Sequence, residues 1–349
     1  LQTLSAAKRE DALKAVAEYF TICRQELLDA NEKDMQAGKE NGMKEGLLDR
    51  LLLTEERIDA MAEGIMEVAK LPEPLGEVLE EFERPNGLKM TKVRVPLGVI
   101  GIIYESRPNV TADAFALCFK TGNAVILKGG KDAIHSNTAI TNVIRKALNR
   151  VGVTEDAVQL ITDVDRQTTN DFMKMNRYVD VLIPRGGAGL IKAVVENSTI
   201  PVIETGTGNC HIYIDEDADI MKVVPILINA KTQRIGVCNA CESLVIHRKV
   251  LDKILPLVSK ALREKKVEMR GDEYVRAMVP DCSEATEEDY AAEYLDLIIS
   301  MKTVDSVEEA VAHINRYSTG HSDAIITENK EHAQVFLQGV DSACVYVNA

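Results

Sequence analysis

The sequence predicts an α/β protein of two domains: a doubly wound parallel sheet, a second α/β lobe, and a β-hairpin projecting from the first. Three observations carry this. From Pro96 onward, short apolar runs alternate with amphipathic stretches in a β-α-β-α rhythm. The first such run, residues 97 to 104 (L-G-V-I-G-I-I-Y), is continuously apolar, as in a parallel strand covered on both faces. The rhythm resumes beyond residue 206, and 349 residues are a natural length for two domains.

Residues 5 to 20 show helical periodicity, with Ala6, Leu13, Val16, Ala17 and Phe20 on one stripe. A second helix, about 24 to 37, fades into the Gly- and Lys-rich G-K-E-N-G-M-K-E-G. A third opens at Thr54 as N-cap and stops before Pro72; Arg57 stands where a capping box wants an acid or amide, so half of that motif is present. These helices read as packing. V-L-E-E-F-E, R-P-N-G and L-K-M-T-K-V-R-V then read as strand, turn, strand around Asn86-Gly87. A lone hairpin is marginal, so it is expected to pair with another element, an oligomer interface being one candidate.

After the strand at 97 to 104 come a helix at 111 to 120, a strand at 124 to 128, a helix from about 133 to 150 and a strand V-Q-L-I. Helix 166 to 175, strand V-D-V-L-I-P, helix 187 to 197 and strand P-V-I-E complete the first half. The second half reads as helix 217 to 231, strand S-L-V-I-H, helix 249 to 263, strand 267 to 270 and strand L-D-L-I-I-S-M-K. Helix 306 to 316, strand D-A-I-I-T, helix 330 to 338 and strand C-V-Y-V-N follow.

Composition narrows the function classes. Apolar residues make up 46% but aromatics only 4%, with no Trp, so the cores are aliphatic. A net charge of −14 fits a solvated acidic surface and argues against nucleic acid or anionic membrane as partner. No apolar run approaches the roughly 18 residues of a membrane span. The start lacks the order of a secretory signal, and it opens on Leu1, so the natural chain is expected to begin upstream. Seven cysteines, an odd number with scattered spacing, favour free thiols in a reducing cytoplasm.

One of those thiols stands in K-T-Q-R-I-G-V-C-N-A-C-E, residues 231 to 242. Cys238 is read as a nucleophile on a loop at the mouth of a pocket, with Arg234 before it, Asn239 after it and Ile235, Gly236 and Val237 as an apolar flank. An inert core thiol is the bland alternative. Cys238 and Cys241 also make a C-x-x-C. As a zinc site it lacks a second pair, and His247 sits in an expected strand; as a redox pair it lacks the strand-then-helix setting. No metal is expected.

Three strand ends carry further chemistry. Lys128 is followed by Gly129 and Gly130; P-R-G-G-A-G-L-I (184 to 191) sets glycines before a helix whose amides suit a phosphate; E-T-G-T-G-N (204 to 209) is the third. None is a G-x-G-x-x-G fingerprint, and each alone is an ordinary turn. Three in one doubly wound sheet favour a nucleotide site at the carboxyl ends of its strands. The expected division is 1–205 for a dinucleotide-binding domain, with 78–95 as an oligomerisation hairpin, and 206–349 for a catalytic domain presenting its nucleophile to the cofactor across a cleft.

V-P-L-G-V-I-G-I-I-Y-E-S-R-P-N-V-T, I-P-R-G-G-A-G-L-I, V-I-E-T-G-T-G-N-C-H, K-T-Q-R-I-G-V-C-N-A and A-V-A-H-I-N-R-Y-S-T-G-H-S-D-A-I span essentially the whole chain. Through them it resembles the gamma-glutamyl phosphate reductase (glutamate-5-semialdehyde dehydrogenase) family of the aldehyde dehydrogenase superfamily. The resemblance implies an aldehyde dehydrogenase-like fold and a homo-oligomer. It implies NADPH-dependent reduction of L-glutamate 5-phosphate to L-glutamate 5-semialdehyde, with phosphate release through a thioester on the catalytic Cys238, in proline biosynthesis. Asn109 is implied as an oxyanion donor beside backbone amides near Cys238.

For the cofactor the resemblance implies Lys128, Gly129, Gly130, Arg185, Gly186, Gly187, Gly189, Glu204 and Gly206. Glu204 falls where hydrolytic members keep a general base, a role at odds with phosphate exchange. Lys128 and Lys131 suit a 2′-phosphate. Arg107, Arg234 and His321 are the expected contacts to the substrate's anionic groups, with surface or capping ion pairs as the alternative. His211 reads as structural, and His135, His247 and His332 as packing or surface residues. The family continues beyond Ala349 with a segment that closes the site and a final strand, so the catalytic domain is expected to be C-terminally incomplete. The other function class is a non-catalytic dinucleotide-binding scaffold; association with glutamate 5-kinase suits a labile intermediate in either case.

Overall fold

The computed structural model describes residues 1–204 and 207–349, and the chain divides into two compact units, Leu1–Thr205 and Gly206–Ala349.

The first unit opens with α1 (Ala6–Ile22), capped by the Ser5 hydroxyl, which accepts from the Lys8 amide. Leu13, Val16, Ala17 and Phe20 are buried as the stripe requires, while Ala6 in the first turn is exposed. Next, α2 (Arg24–Glu40) runs further than its composition suggests and is followed by a short helix absent from the sequence reading, α3 (Glu45–Leu51). Tertiary bonds explain α3. The buried Asn31 donates from Nδ2 to the Leu51 carbonyl at 2.8 Å and accepts from the Leu53 amide at 2.8 Å. Thr54 caps α4 (Glu55–Lys70) through the Arg57 amide, and the Arg57 guanidinium turns back to Asp49.

The hairpin forms as expected, β1 (Val78–Glu83) antiparallel to β2 (Lys89–Val93), and every residue of both strands is exposed. Its turn uses a single left-handed residue, Gly87 at φ 84°, whose amide bonds the Arg84 carbonyl. That is a type I turn closed by a glycine bulge.

The rest of the unit is β3 (Val99–Tyr104), α5 (Pro108–Lys120), β4 (Ala124–Gly129), α6 (Ile134–Arg150), β5 (Val158–Leu160), α7 (Arg166–Phe172), β6 (Val181–Arg185) and α8 (Ala188–Asn197). All four strands are parallel, in the order β5-β4-β3-β6. Two cores cover the two faces. Ile100, Ile102, Val125 and Leu127 join residues of α1, α4, α5 and α6; Ile103 and Leu182 join Phe172, Met173 and Val194. The expected strand at 201 to 204 does not form. Beyond one bridge between Leu182 and Val202 it makes no ladder, and Pro201 brings no amide to one.

The second unit contains β7 (Cys210–Ile214), α9 (Ile220–Thr232), β8 (Cys241–His247), α10 (Arg248–Glu264), β9 (Glu268–Gly271), α11 (Glu273–Met278), β10 (Ser283–Glu284) and α12 (Glu287–Tyr290). It ends with β11 (Ile298–Val304), α13 (Val307–Tyr317), β12 (Ser322–Ile326), α14 (Lys330–Gly339) and β13 (Cys344–Val347). Its seven strands are again parallel, in the order β10-β9-β11-β8-β7-β12-β13. Alternate residues go to opposite cores: Ile212, Leu244 and Ile326 pack with α9 and α10, while Tyr213, Val245 and Ile325 pack with α13 and α14. Among the described residues no helix is long and apolar enough to cross a membrane.

Candidate active site

Three neighbouring strands of the second unit, β8, β7 and β12, run parallel. The residues just before each strand therefore gather at one edge, the amino edge of the sheet. Those residues are Cys238 and Asn239, Gly208 and Asn209, and Gly320 and His321. They bring a thiol and an imidazole together across 83 positions of sequence: Cys238 Sγ lies 3.1 Å from His321 Nε2. The other ring nitrogen, Nδ1, is 2.8 Å from Ser322 Oγ. Both residues are half-buried, and Cys238 stands on a turn.

The support beneath the thiol is close-packed. A side chain at Gly208 would stand 1.4 Å from the Cys238 carbonyl oxygen, so only glycine fits. The Cys210 thiol donates to that same carbonyl at 3.2 Å. The Gly208 amide donates to Glu293 Oε1 at 2.9 Å, and Asn209 Nδ2 donates to the carbonyls of Tyr290 and Tyr317 at 2.7 and 2.8 Å. His211 is buried and structural, as read, with Nδ1 3.2 Å from Asp323 Oδ1. Burial alone would raise the Asp323 carboxyl, but the bonds from His211 and Ser342 hold it below the usual range.

Four of the other thiols are quiet by environment. Burial pushes Cys118 and Cys241 up to about 12 and Cys282 up to about 11, and it raises Cys210 as well. Cys241 faces the core from the first position of β8. Arg234 lies on the Cys238 loop and is exposed.

In the first unit seven of the nine expected cofactor residues lie at one edge of the sheet. β3 has β4 on one side and β6 on the other, so the strand order reverses at β3, where a doubly wound sheet opens a crevice at its carboxyl ends. Lys128 and Gly129 end β4 and Gly130 follows it; Arg185, Gly186 and Gly187 lead from β6 into α8, with Gly189 in its first turn. Lys128 is buried, its Nζ 3.3 Å from the Gly129 carbonyl, and burial lowers its affinity for the proton against the pull of Asp163. The Gly187 amide is already bonded. It donates to Glu105 Oε2 at 2.9 Å, so a carboxylate of this chain rests where a phosphate is expected.

Arg107 is the half-buried N-cap of α5. Asn109, in the first turn of α5, is exposed, and its Nδ2 donates to Asp113 at 3.1 Å. Glu204 is exposed, and Gly206 lies outside the described residues. Sequence reasoning missed Gly208 as a packing partner of Cys238, and it missed Glu105, because both act through contacts distant in sequence.

A model described as aldehyde dehydrogenase family matches residues 1–293, so the two α/β units and the loop thiol beside an imidazole belong to an enzyme of that class. A gamma-glutamyl phosphate reductase of Lachnospira eligens is 57% identical over 349 residues, 100% of this chain and 84% of that protein. One of Moorella thermoacetica is 56% identical over the same shares. The crystal structure of a gamma-glutamyl phosphate reductase from Thermotoga maritima has a TM-score of 0.95 at 47% identity and covers 100% of this chain and 84% of its own. The chain belongs to the gamma-glutamyl phosphate reductase family, within the aldehyde dehydrogenases.

Proposed function

We propose that the chain reduces L-glutamate 5-phosphate to L-glutamate 5-semialdehyde with NADPH and releases phosphate, by way of a thioester on Cys238, in cytoplasmic proline biosynthesis. The observation that carries this reading is the 3.1 Å approach of His321 Nε2 to Cys238 Sγ on a half-buried loop. In the tautomer whose Nδ1–H donates to Ser322 Oγ, Nε2 takes the thiol proton. The thiolate attacks the acyl-phosphate carbon, the carbon–oxygen bond to phosphate breaks, and a thioester to Cys238 remains. Main-chain amides around Cys238 would serve the oxyanion; the side-chain amide of Asn109, the other group proposed for that role, donates to Asp113. After reduction of the thioester carbon, the thiohemiacetal collapses to aldehyde and thiolate, and His321 returns the proton to sulfur.

A bound nicotinamide dinucleotide supplies the hydride. The first unit's residues suit such an anion. The Gly187 amide already donates to a carboxylate at the start of α8, and Lys128 offers a cation in a sheltered position. Lys128, Lys131 and Arg185 would hold the charged groups, and Gly129, Gly130, Gly186, Gly187 and Gly189 would offer bare backbone. A diphosphate at that turn requires Glu105 to yield, since two anions repel. Arg107 and Arg234 remain the candidates for the substrate's anionic groups. The reading includes a homo-oligomer through the β1–β2 hairpin, whose Val78, Phe82, Met90 and Val93 are exposed. Sedimentation showing a monomer at all concentrations would remove that part, and co-sedimentation with glutamate 5-kinase tests that association.

The main test is phosphate-dependent reduction of NADP⁺ with glutamate semialdehyde. Absence of that activity in a folded, dinucleotide-binding protein would leave the scaffold reading in place. His321→Ala should lower kcat by roughly 10²- to 10⁴-fold, as loss of a general base does, and slow the alkylation of Cys238. A His321→Ala enzyme with unchanged kcat and a raised KM would instead make this residue a substrate contact.

A further inference from the structure

Lys231 lies in the last turn of α9 and Glu242 is the second residue of β8, eleven positions on. Between them runs the loop that carries Cys238. Both side chains are fully buried, and the Lys231 ammonium donates to Glu242 Oε2. The second Glu242 oxygen is engaged too: Oε1 accepts from the Leu295 amide at 3.1 Å. Leu295 holds φ at 50°, a left-handed conformation uncommon for a branched residue. The Tyr294 ring lies 6.0 Å from Lys231 Nζ, and Glu293 accepts from the Gly208 amide at 2.9 Å. Residues 293 to 295 thus touch the loop's stem on one side and the glycine that abuts Cys238 on the other.

An ion pair buried this completely is generally no better for stability than an apolar pair of equal volume, because desolvation offsets the attraction. Burial pushes the Glu242 carboxyl up against the pull of Lys231. Stability alone therefore gives no reason for the pair, which lies across both stems of the Cys238 loop.

We propose that Lys231 and Glu242 are positioning residues that clamp the Cys238 loop and, through Leu295 and Glu293, the Gly208 edge, so that the sulfur is held against His321 Nε2. Neither residue need touch substrate. The proposal rests on the reading of Cys238 as nucleophile. Its consequence is a split between folding and chemistry: neutralising both partners should leave the fold and lose the alignment.

The test is the double variant Lys231→Met with Glu242→Gln, which removes both charges, keeps the volume and leaves an acceptor for the Leu295 amide. Thermal melting reads the fold, iodoacetamide labelling followed by mass spectrometry reads Cys238 directly, and kcat and KM read turnover. The melting temperature should stay near that of the parent, Cys238 should alkylate about tenfold more slowly, and kcat should fall by roughly 10²-fold with KM little changed, the scale of loss from a misplacement of about 1 Å. A folded double variant with parental alkylation rate and kcat overturns the proposal. If the double variant does not fold, Glu242→Asp, which keeps the charge but shortens the reach, decides: slower alkylation and lower kcat support the clamp, and parental values overturn it. Failure of the underlying reading looks different. There Cys238 is not the fastest of the seven thiols to react in the parent, whatever the variants do.

Discussion

Cys238→Ala is expected to lower phosphate-dependent turnover by roughly 10⁴-fold or more, the scale seen when a covalent nucleophile is deleted. The loss should fall on kcat, with the fold and dinucleotide binding retained, because the change removes one half-buried sulfur whose described hydrogen-bond partner is His321. Cys238→Ser is the sharper version. It keeps an atom near the same place but replaces the thiol by a hydroxyl, a weak nucleophile at neutral pH even with an imidazole beside it. Cys241→Ala is the control. That thiol lies buried in β8, where desolvation pushes it up to about 12, so its loss should cost some packing and no chemistry. Turnover of the Cys238→Ala protein within tenfold of the parent would remove the thioester mechanism altogether.

Gly208→Ala should lower turnover and stability together without touching any reacting group. The added methyl would stand 1.4 Å from the Cys238 carbonyl oxygen, 2.3 Å from its carbon and 2.7 Å from its Cα. These are backbone atoms, so no rotamer change relieves the clash. The Gly208 side has little freedom to retreat, since Glu293 holds its amide and the Tyr290 and Tyr317 carbonyls hold Asn209. The Cys238 loop must move instead, and a displacement of about 1 Å at the nucleophile is enough to lose about 10²-fold in kcat. Melting should drop as well, and Cys238 should alkylate more slowly. A folded Gly208→Ala protein with parental kcat would show that the loop tolerates displacement, and the account of a tightly supported sulfur would have to be abandoned.

Most of the fold is written locally. Continuous apolar runs such as Val99–Tyr104 and Cys241–His247 are strands, and the stripe through Leu13, Val16 and Phe20 is a helix, because side-chain period and burial are fixed by backbone geometry. What failed locally failed for a tertiary reason. The segment Glu45–Leu51 is helical although the Gly- and Lys-rich run before it gives no helix signal, and Asn31 from the preceding helix bonds the backbone at its end, at Leu51 and Leu53. Residues 201 to 204 look like a buried strand but pair with β6 through the single bridge of Val202 to Leu182. The short α11, β10 and α12 carry too few periods to be read from the chain alone.

The site divides in the same way. By itself the sequence determined the chemical inventory: a thiol on a turn, glycine-rich strand ends in the first half, a lysine closing β4, and a family to which those motifs belong. Only the tertiary structure decided which groups meet. It brought His321 to Cys238, set Gly208 against the Cys238 carbonyl, put Glu105 on the Gly187 amide, and buried Lys231 with Glu242. The reason is geometric. Periodicity encodes a residue's own face and burial, whereas a parallel sheet brings the starts of strands β7, β8 and β12 side by side only after the intervening crossovers are folded, and no pattern along the chain records that order.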